Sequence, residues 1–251
     1  LPAQQLLETV YSLTDQDYVG FKHAFTNFEF LARFEVKEAY KSYVDEIVQQ
    51  NIDTMNYVAS LKEKFPIIGA FQTRNIPHSG HEEVINRLLK ECDYVFINPV
   101  IGVKKKGDAK TEILKNVYKY LIKKHYNNKV IFYPVYASMF YAGPREAIHH
   151  ALIRQSLGFD KFIIGRDHAG SENIYNPSSA FYYAKKYKNK LKIKLVPIKG
   201  SFYCNKCDKT IILGECEKNL NDTNCKKNLI GISGTDFRKC LVEKKIFKYA
   251  R

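Results

Sequence analysis

The order of apolar and amphipathic segments predicts an α/β fold, a doubly wound parallel sheet. Two observations carry that expectation. From about residue 66, apolar runs of strand length alternate with longer amphipathic runs of helix length. Polar clusters then follow several of the apolar runs, just outside the strand ends where such sheets bind ligands.

Taken along the chain, PIIGAF (66–71) reads as a strand and HEEVINRLLKEC (81–92) as a helix. YVFINPV (94–100), KVIFYPV (129–135), KFIIG (161–165) and KIKLVPI (192–198) read as further strands. Between them lie the helical patterns AKTEILKNVYKYLIKKH (109–125), PREAIHHALIRQSLG (144–158) and SSAFYYAKKYKNK (178–190). Residues 1–65 lack this alternation and are expected to be a partial or accessory segment, with NFEFLARFEV (27–36) as a strand pair and Ala39 to Asn51 as a helix. The chain opens on Leu1 without Met, which points to a missing upstream portion. The main domain is expected at 66–238, and 239–251 as a helix running into a tail. No internal repeat is visible.

The 251 residues are 45% hydrophobic, 14% aromatic and 26% charged, enough apolar material for a real core. No run approaches 18 apolar residues, and the opening lacks the basic start and apolar stretch of a signal peptide. A soluble, cytoplasmic protein with no membrane partner is expected. Forty Lys and Arg against 26 Asp and Glu give a formal charge of +14, which attracts nucleic acid, acidic lipid or a small polyanion. Much of the excess sits in scattered runs such as Lys104-Lys105-Lys106, Lys123-Lys124 and Lys185-Lys186, the pattern of solvated faces.

Four polar strings carry the chemistry. In Gln72-Thr73-Arg74-Asn75-Ile76-Pro77-His78-Ser79-Gly80-His81-Glu82, amide, guanidinium and imidazole groups converge where a helix N-terminus offers N–H donors to an anion. His78 and His81 share a face if helical, and Ile85 stands where a metalloprotease would need its second His. MFYAGPREA (139–147) opens a helix at Pro144, where a missing N–H does no harm. Gly165-Arg166-Asp167-His168-Ala169-Gly170 puts ionisable side chains between glycines, and Arg166 could face Arg74 across a crevice. Two guanidiniums there would bind a tetrahedral oxyanion through fork-like hydrogen bonds. In GISGTDFR (231–238), Ser233 or Thr235 caps a helix that carries Arg238.

In this order, QTRNIPHSGHE, MFYAGPREA, GRDHAG and GISGTDFR closely resemble the ATP sulfurylase (sulfate adenylyltransferase) family, over about two thirds of the chain. The resemblance implies the nucleotidyltransferase superfold with its HxxH signature. It also implies transfer of AMP from MgATP to sulfate, giving adenosine 5'-phosphosulfate and pyrophosphate, reversibly and without a covalent intermediate. Carried over by motif position, Gln72 and Arg74, with Arg166 and the Ala169 backbone, would hold sulfate, and Thr73 joins the substrate-binding set. Asn75 would contact the α-phosphate, and His78 and His81 the phosphate chain. Gly165 and Asp167 would lie near the ribose, and Ile232 and Ser233 would border the adenine. MFYAGPRE looks like the family's mobile catalytic loop. The catalytic set is then Arg74, Asn75, His78, His81 and Arg166, with Mg²⁺ bridging the leaving phosphates and a homodimer expected. Ser79 and Ile76 depart from the commoner Arg and Pro. No GxxxxGK[ST] motif for a fused adenosine phosphosulfate kinase occurs.

Cys204-x2-Cys207-x8-Cys216-x8-Cys225 offers four thiolates for a structural Zn²⁺ in a zinc loop at 201–227. The second pair is more loosely spaced, which leaves open a site completed by another residue. Family members that carry such a loop often use His as the last ligand, a place Cys225 would take. Two rival readings stay in view. One is an adenylyltransferase of the same superfold with another acceptor. The other is a basic, zinc-bearing nucleic-acid binder, which would leave the ordered Arg and His strings without a role.

Overall fold

The computed structural model describes residues 38–101, 109–137, 139–170, 174–214, 228–232 and 234–249. The elements in chain order are α1 (Glu38–Lys62), β1 (Ile68–Phe71), α2 (Ser79–Leu89), β2 (Tyr94–Ile97), β3 (Val100–Ile101), α3 (Thr111–His125), β4 (Val130–Phe132) and β5 (Val135–Tyr136). They continue with α4 (Pro144–Ser156), β6 (Lys161–Ile164), α5 (Ser179–Tyr187), β7 (Lys194–Pro197), β8 (Ser201–Cys204), β9 (Lys209–Ile212), β10 (Leu229–Gly231) and α6 (Gly234–Val242).

Five parallel strands form the central sheet in the order β4-β2-β1-β6-β7. Successive strands step outward from β1 to one side, then restart on its other side with β6. The β1/β6 boundary is therefore the topological switch point, where an open α/β sheet leaves a crevice. Side chains alternate between two cores. Ile68, Ala70, Phe96, Phe162 and Ile164 face one layer with Val58 of α1, Ala147 and Ala151 of α4, and Ala180 and Ala184 of α5. Phe71, Val95, Ile97 and Ile163 face the other, with Ile85 and Leu88 of α2 and Leu114, Tyr118 and Leu121 of α3. Both faces are covered, which explains why these strands read as continuous apolar runs.

Two expected strands are each divided. YVFINPV yields β2 and β3, and KVIFYPV yields β4 and β5, because Pro99 and Pro134 have no N–H to give to a ladder. At the break, Asn98 Nδ2 donates to Tyr133 O at 2.6 Å, and β3 and β5 pair as a separate parallel ribbon. The expected helix from Ala39 to Asn51 is part of α1, which runs on to Lys62, and its Tyr57 ring lies 5.9 Å from Phe96 and 5.4 Å from Tyr133. The NFEFLARFEV pair lies outside the described residues. Of the zinc loop expected at 201–227, the described residues form β8 and β9, which join β10 in a three-stranded antiparallel sheet in the order β10-β8-β9. Among the described residues, no helix is long and apolar enough to cross a membrane.

Candidate active site at the sheet switch point

A cavity of about 310 Å³ opens outside the carboxyl ends of β1 and β6, within the size range of small-molecule sites. Its wall includes Gln72, Thr73, Arg74, Asn75, His78 and His81 from the turn after β1 and the start of α2. Gly165, Arg166, Asp167, His168 and Ala169 come from the turn after β6, and Ile232, Gly234 and Arg238 from the fourth string, GISGTDFR. The topology has thus gathered strings up to 166 residues apart. Ser233 lies outside the described residues, and from the 139–143 loop only Met139 reaches the wall.

The two histidines form a reciprocal cap at the start of α2. His78 is the N-cap, its Nδ1 accepts from Gly80 N at 3.1 Å, and His81 Nδ1 accepts from His78 N at 3.3 Å. This is a capping box built from imidazoles in place of the usual hydroxyl and carboxylate. With each Nδ1 accepting, each neutral ring carries its proton on Nε2. Burial holds His78 down at about 4, and burial, then the His78 charge, hold His81 well below the usual value of 6.5. His81 has one edge on the cavity yet is otherwise enclosed by protein, so desolvation still dominates. The HxxH spacing therefore presents two neutral N–H donors at a positive helix terminus.

Asn75 is fixed on three sides. Its backbone N donates to Thr73 Oγ1 at 3.2 Å, its carbonyl accepts from the Tyr118 hydroxyl at 3.3 Å, and its Oδ1 accepts from Arg238 Nη1 at 2.7 Å. The Asn75 Nδ2 group remains as a donor toward the cavity. A side chain at position 234 would meet Asn75 at 2.9 Å, so the close approach of α6 requires Gly234. Gly165 differs: a Cβ there would meet no protein atom within 4 Å, so nothing in the protein itself demands a glycine.

Arg74 lies with its Cζ 5.4 Å from the centroid of the Tyr141 ring, and its Nη2 donates to Gly170 O at 3.3 Å. Its Nη1 is buried without a hydrogen-bond partner, as is Gln72 Oε1. A Gln amide can be turned over to present Nε2 at the same position. Buried orphan groups are rare and costly, so a pair of them on one cavity wall marks a place for a polar ligand. Arg166 is exposed, with its Cζ 5.3 Å from the Phe202 centroid. Asp167 and Ala169 hold φ of 53° and 54°, the left-handed region that non-glycine residues seldom adopt and that concentrates at functional turns.

The strings predicted from sequence thus meet in one place. Sequence reasoning held Glu146 only as part of the MFYAGPREA string and missed the buried polar stripe that it forms on α4 with His150 and Arg154, four residues apart and all 1% exposed or less. Its signal was the E-x3-H-x3-R spacing on a helix with little apolar periodicity. Of the cysteine quartet, Cys204 ends β8 and Cys207 sits in the turn to β9, both in a small cluster with Ile211 and Leu229. Cys216 and Cys225 lie outside the described residues. Among the described residues, no group of three or more His, Cys, Asp or Glu side chains could hold a metal ion.

Fold and site define an α/β protein with a polar, arginine-lined crevice at a parallel-sheet switch point. Residues 37–247 match the ATP-sulfurylase family model, and the chain belongs to that family. It is 40% identical over 180 residues to the sulfate adenylyltransferase of Hyperthermus butylicus, covering 70% of this chain and 44% of that one. It is 34% identical over 241 residues to the sulfate adenylyltransferase of Thermococcus onnurineus, covering 95% and 62%. The chain thus spans between about two fifths and two thirds of the length of these relatives. A solved structure, a hexameric APS kinase from Thiobacillus denitrificans, superposes with a TM-score of 0.53 at 16% identity, over 78% of this chain and 36% of that one. That likeness concerns the fold alone.

Proposed function

We propose that the chain is a sulfate adenylyltransferase, with residues 66–238 as its nucleotidyltransferase domain of the HxxH type. The observation that carries the reading is the unpartnered, buried Arg74 Nη1 beside Gln72, at a crevice that Arg166 also lines. A tetrahedral dianion supplies the acceptors this corner lacks. Gln72, Arg74, Arg166 and the Ala169 backbone hold sulfate in this reading. Gly165 and Asp167 border the ribose, and Ile232 with Ser233 borders the adenine.

Sulfate is a weak nucleophile that is already ionised, so the task is alignment and electrostatics, without a general base. A sulfate oxygen attacks the α-phosphorus, the new P–O bond forms as the bond to the β-phosphate oxygen breaks, and pyrophosphate departs with the electron pair. Asn75 Nδ2 donates to an α-phosphate oxygen, and the Nε2–H groups of His78 and His81 donate to the phosphate chain as negative charge moves onto it. Mg²⁺ arrives as part of MgATP and neutralises charge on the leaving phosphates, to which it binds more readily than to an all-protein cage.

Zn²⁺ fits the donor chemistry of the β8–β9 hairpin. A buried thiol ending one strand and a second in the following tight turn would supply two ligands of a tetrahedral thiolate site, which Cys216 and Cys225, outside the described residues, would complete. Four protein ligands would leave no open position, so the metal's part is structural. Metal analysis and chelation test this; a metal-free protein that stays folded and active would end it.

The functional test is release of pyrophosphate from MgATP in the presence and absence of sulfate. Sulfate-dependent release is expected. Arg74→Ala and Arg166→Ala should each lower it by 100-fold or more, roughly the effect of removing one preorganised charge-stabilising donor, while circular dichroism stays unchanged. Turnover only with a different acceptor, or near-normal activity in either variant, would overturn the assignment.

A further inference from the structure

Glu146 is a buried carboxylate that the proposed chemistry does not use. It stands in the first turn of α4, and each of its oxygens accepts a backbone N–H from the preceding loop: Oε1 from Phe140 at 2.8 Å and Oε2 from Ala142 at 2.8 Å. The residue bracketed by those bonds, Tyr141, has φ 59° and is fully buried. A non-glycine residue in that region is strained. Two hydrogen bonds to a charged acceptor are of the strength needed to hold it there.

The restrained ring is the one beneath the Arg74 guanidinium. Tyr141 also packs with Met139 and Ala169, and Gly143 N donates to Ala169 O at 3.1 Å, so the loop and the turn after β6 are stitched together. A second connection runs through α4. His150 Nδ1 is 3.1 Å from His168 Nε2, inside the same turn, and His150 Nε2 lies 3.2 Å from Glu146 Oε1. That last approach makes no hydrogen bond and, with the imidazole neutral, is a close contact and not an ion pair. Burial first, and then neighbouring positive charge, hold both imidazoles neutral, so one of the pair donates and the other accepts.

We propose that Glu146 is the positioning residue for the oxyanion half of the site. It clamps the 140–142 turn so that Tyr141 backs Arg74, and it braces the Arg166 turn through His150 and His168. The phosphate-binding part of the nucleotide half is assembled independently, since His78, His81 and Asn75 are held by the α2 cap, Thr73, Tyr118 and Arg238, and only the ribose neighbours Gly165 and Asp167 share the braced turn. Glu146 therefore acts on affinity for the tetrahedral anion far more than on that for the nucleotide, most of whose contacts are held elsewhere. This rests on the sulfate adenylyltransferase reading.

The test is steady-state kinetics of Glu146→Gln with each substrate varied in turn. The amide keeps one acceptor and sets an NH2 group against a backbone N–H. The expected result is a rise in KM for sulfate on the order of tenfold, the effect of losing one hydrogen bond to a charged group, with KM for MgATP within about twofold of wild type. Tyr141→Leu, which keeps the clamp but removes the ring beneath Arg74, should show the same selective change and decides the matter if Glu146→Gln does not fold. Phe159→Leu, in the core beside Phe96, controls for general destabilisation and should move neither KM. A wild-type protein with no sulfate-dependent turnover would dispose of the functional reading itself. Active wild type, with sulfate KM unchanged in the deciding variant or with both KM values raised alike, would overturn the role of Glu146.

Discussion

At the level of single residues, the informative positions are those whose identity the protein's own packing does not explain. Gly165 has open space where its Cβ would stand, while Gly234 is enforced by Asn75. Gly165→Ala should therefore leave thermal stability unchanged or slightly raised, since alanine has less unfolded-state entropy to lose. It should raise KM for MgATP by about tenfold if the methyl group takes nucleotide space. A destabilised variant with unchanged kinetics would contradict this. Arg74 tells the same story through a donor without a partner. The pattern HxxH was legible as two imidazoles near a helix start, but the tautomer was not. Only the bonds from Gly80 N and His78 N to the two Nδ1 atoms assign the protons to Nε2.

Among the elements, the β8–β9 hairpin has the closest bearing on the site. Thr210 Oγ1 donates to Ser79 Oγ at 2.9 Å, and Ser79 N donates to Tyr249 O at 3.0 Å. Ser79 thus ties the histidine helix to the hairpin and to the segment around Tyr249. Thr210→Val should cost about 1 kcal/mol of stability, the usual value of one such bond, read by urea denaturation. A cost beyond about 3 kcal/mol would mean the hairpin is held differently. Chelation, if the four thiolates hold Zn²⁺, should loosen the same hairpin and raise KM for MgATP. The strand runs were legible in the sequence, yet their division at Pro99 and Pro134 and the antiparallel pairing of β8 with β9 and β10 were not. A cysteine-rich stretch advertises metal ligands, whereas pairing partners depend on which strands tertiary packing brings alongside.

For the molecule as a whole, several buried imidazoles make acid the chief threat to stability. His78 falls from 6.5 to about 4 on folding, and His81, His150 and His168 are also pushed well below 6.5, all chiefly by burial. Between those values the unfolded chain binds more protons than the folded one, so stability rises with pH across the window. It is lost as pH falls from about 6.5 toward 4, with a slope of up to about 1.4 kcal/mol per pH unit per histidine. Glu146, raised by burial despite its backbone donors, works in the opposite direction above its ordinary range. Denaturation midpoints from pH 7.5 to 5 should decline steeply, and a flat profile would show that the imidazoles protonate in place. Among the described residues, part of the +14 charge lies on exposed faces away from the crevice. Lys185 and Lys186 sit over the Phe181 and Tyr187 rings of α5, and binding to duplex DNA should be weak and vanish by physiological salt.

The amino-acid order alone was sufficient for the alternation of strands and helices, for the four polar strings and for the family they resemble. Those features are local: periodicity, caps and motif spacing are written in neighbouring residues. Tertiary structure decided that β1 and β6 sit side by side, so that Arg74 and Arg166 share one cavity. It also decided that Glu146, which the sequence showed only as one member of the MFYAGPREA string, accepts two backbone hydrogen bonds from the loop beneath Arg74. Strand order and burial depend on contacts between residues far apart in the chain, and no short window of sequence contains them.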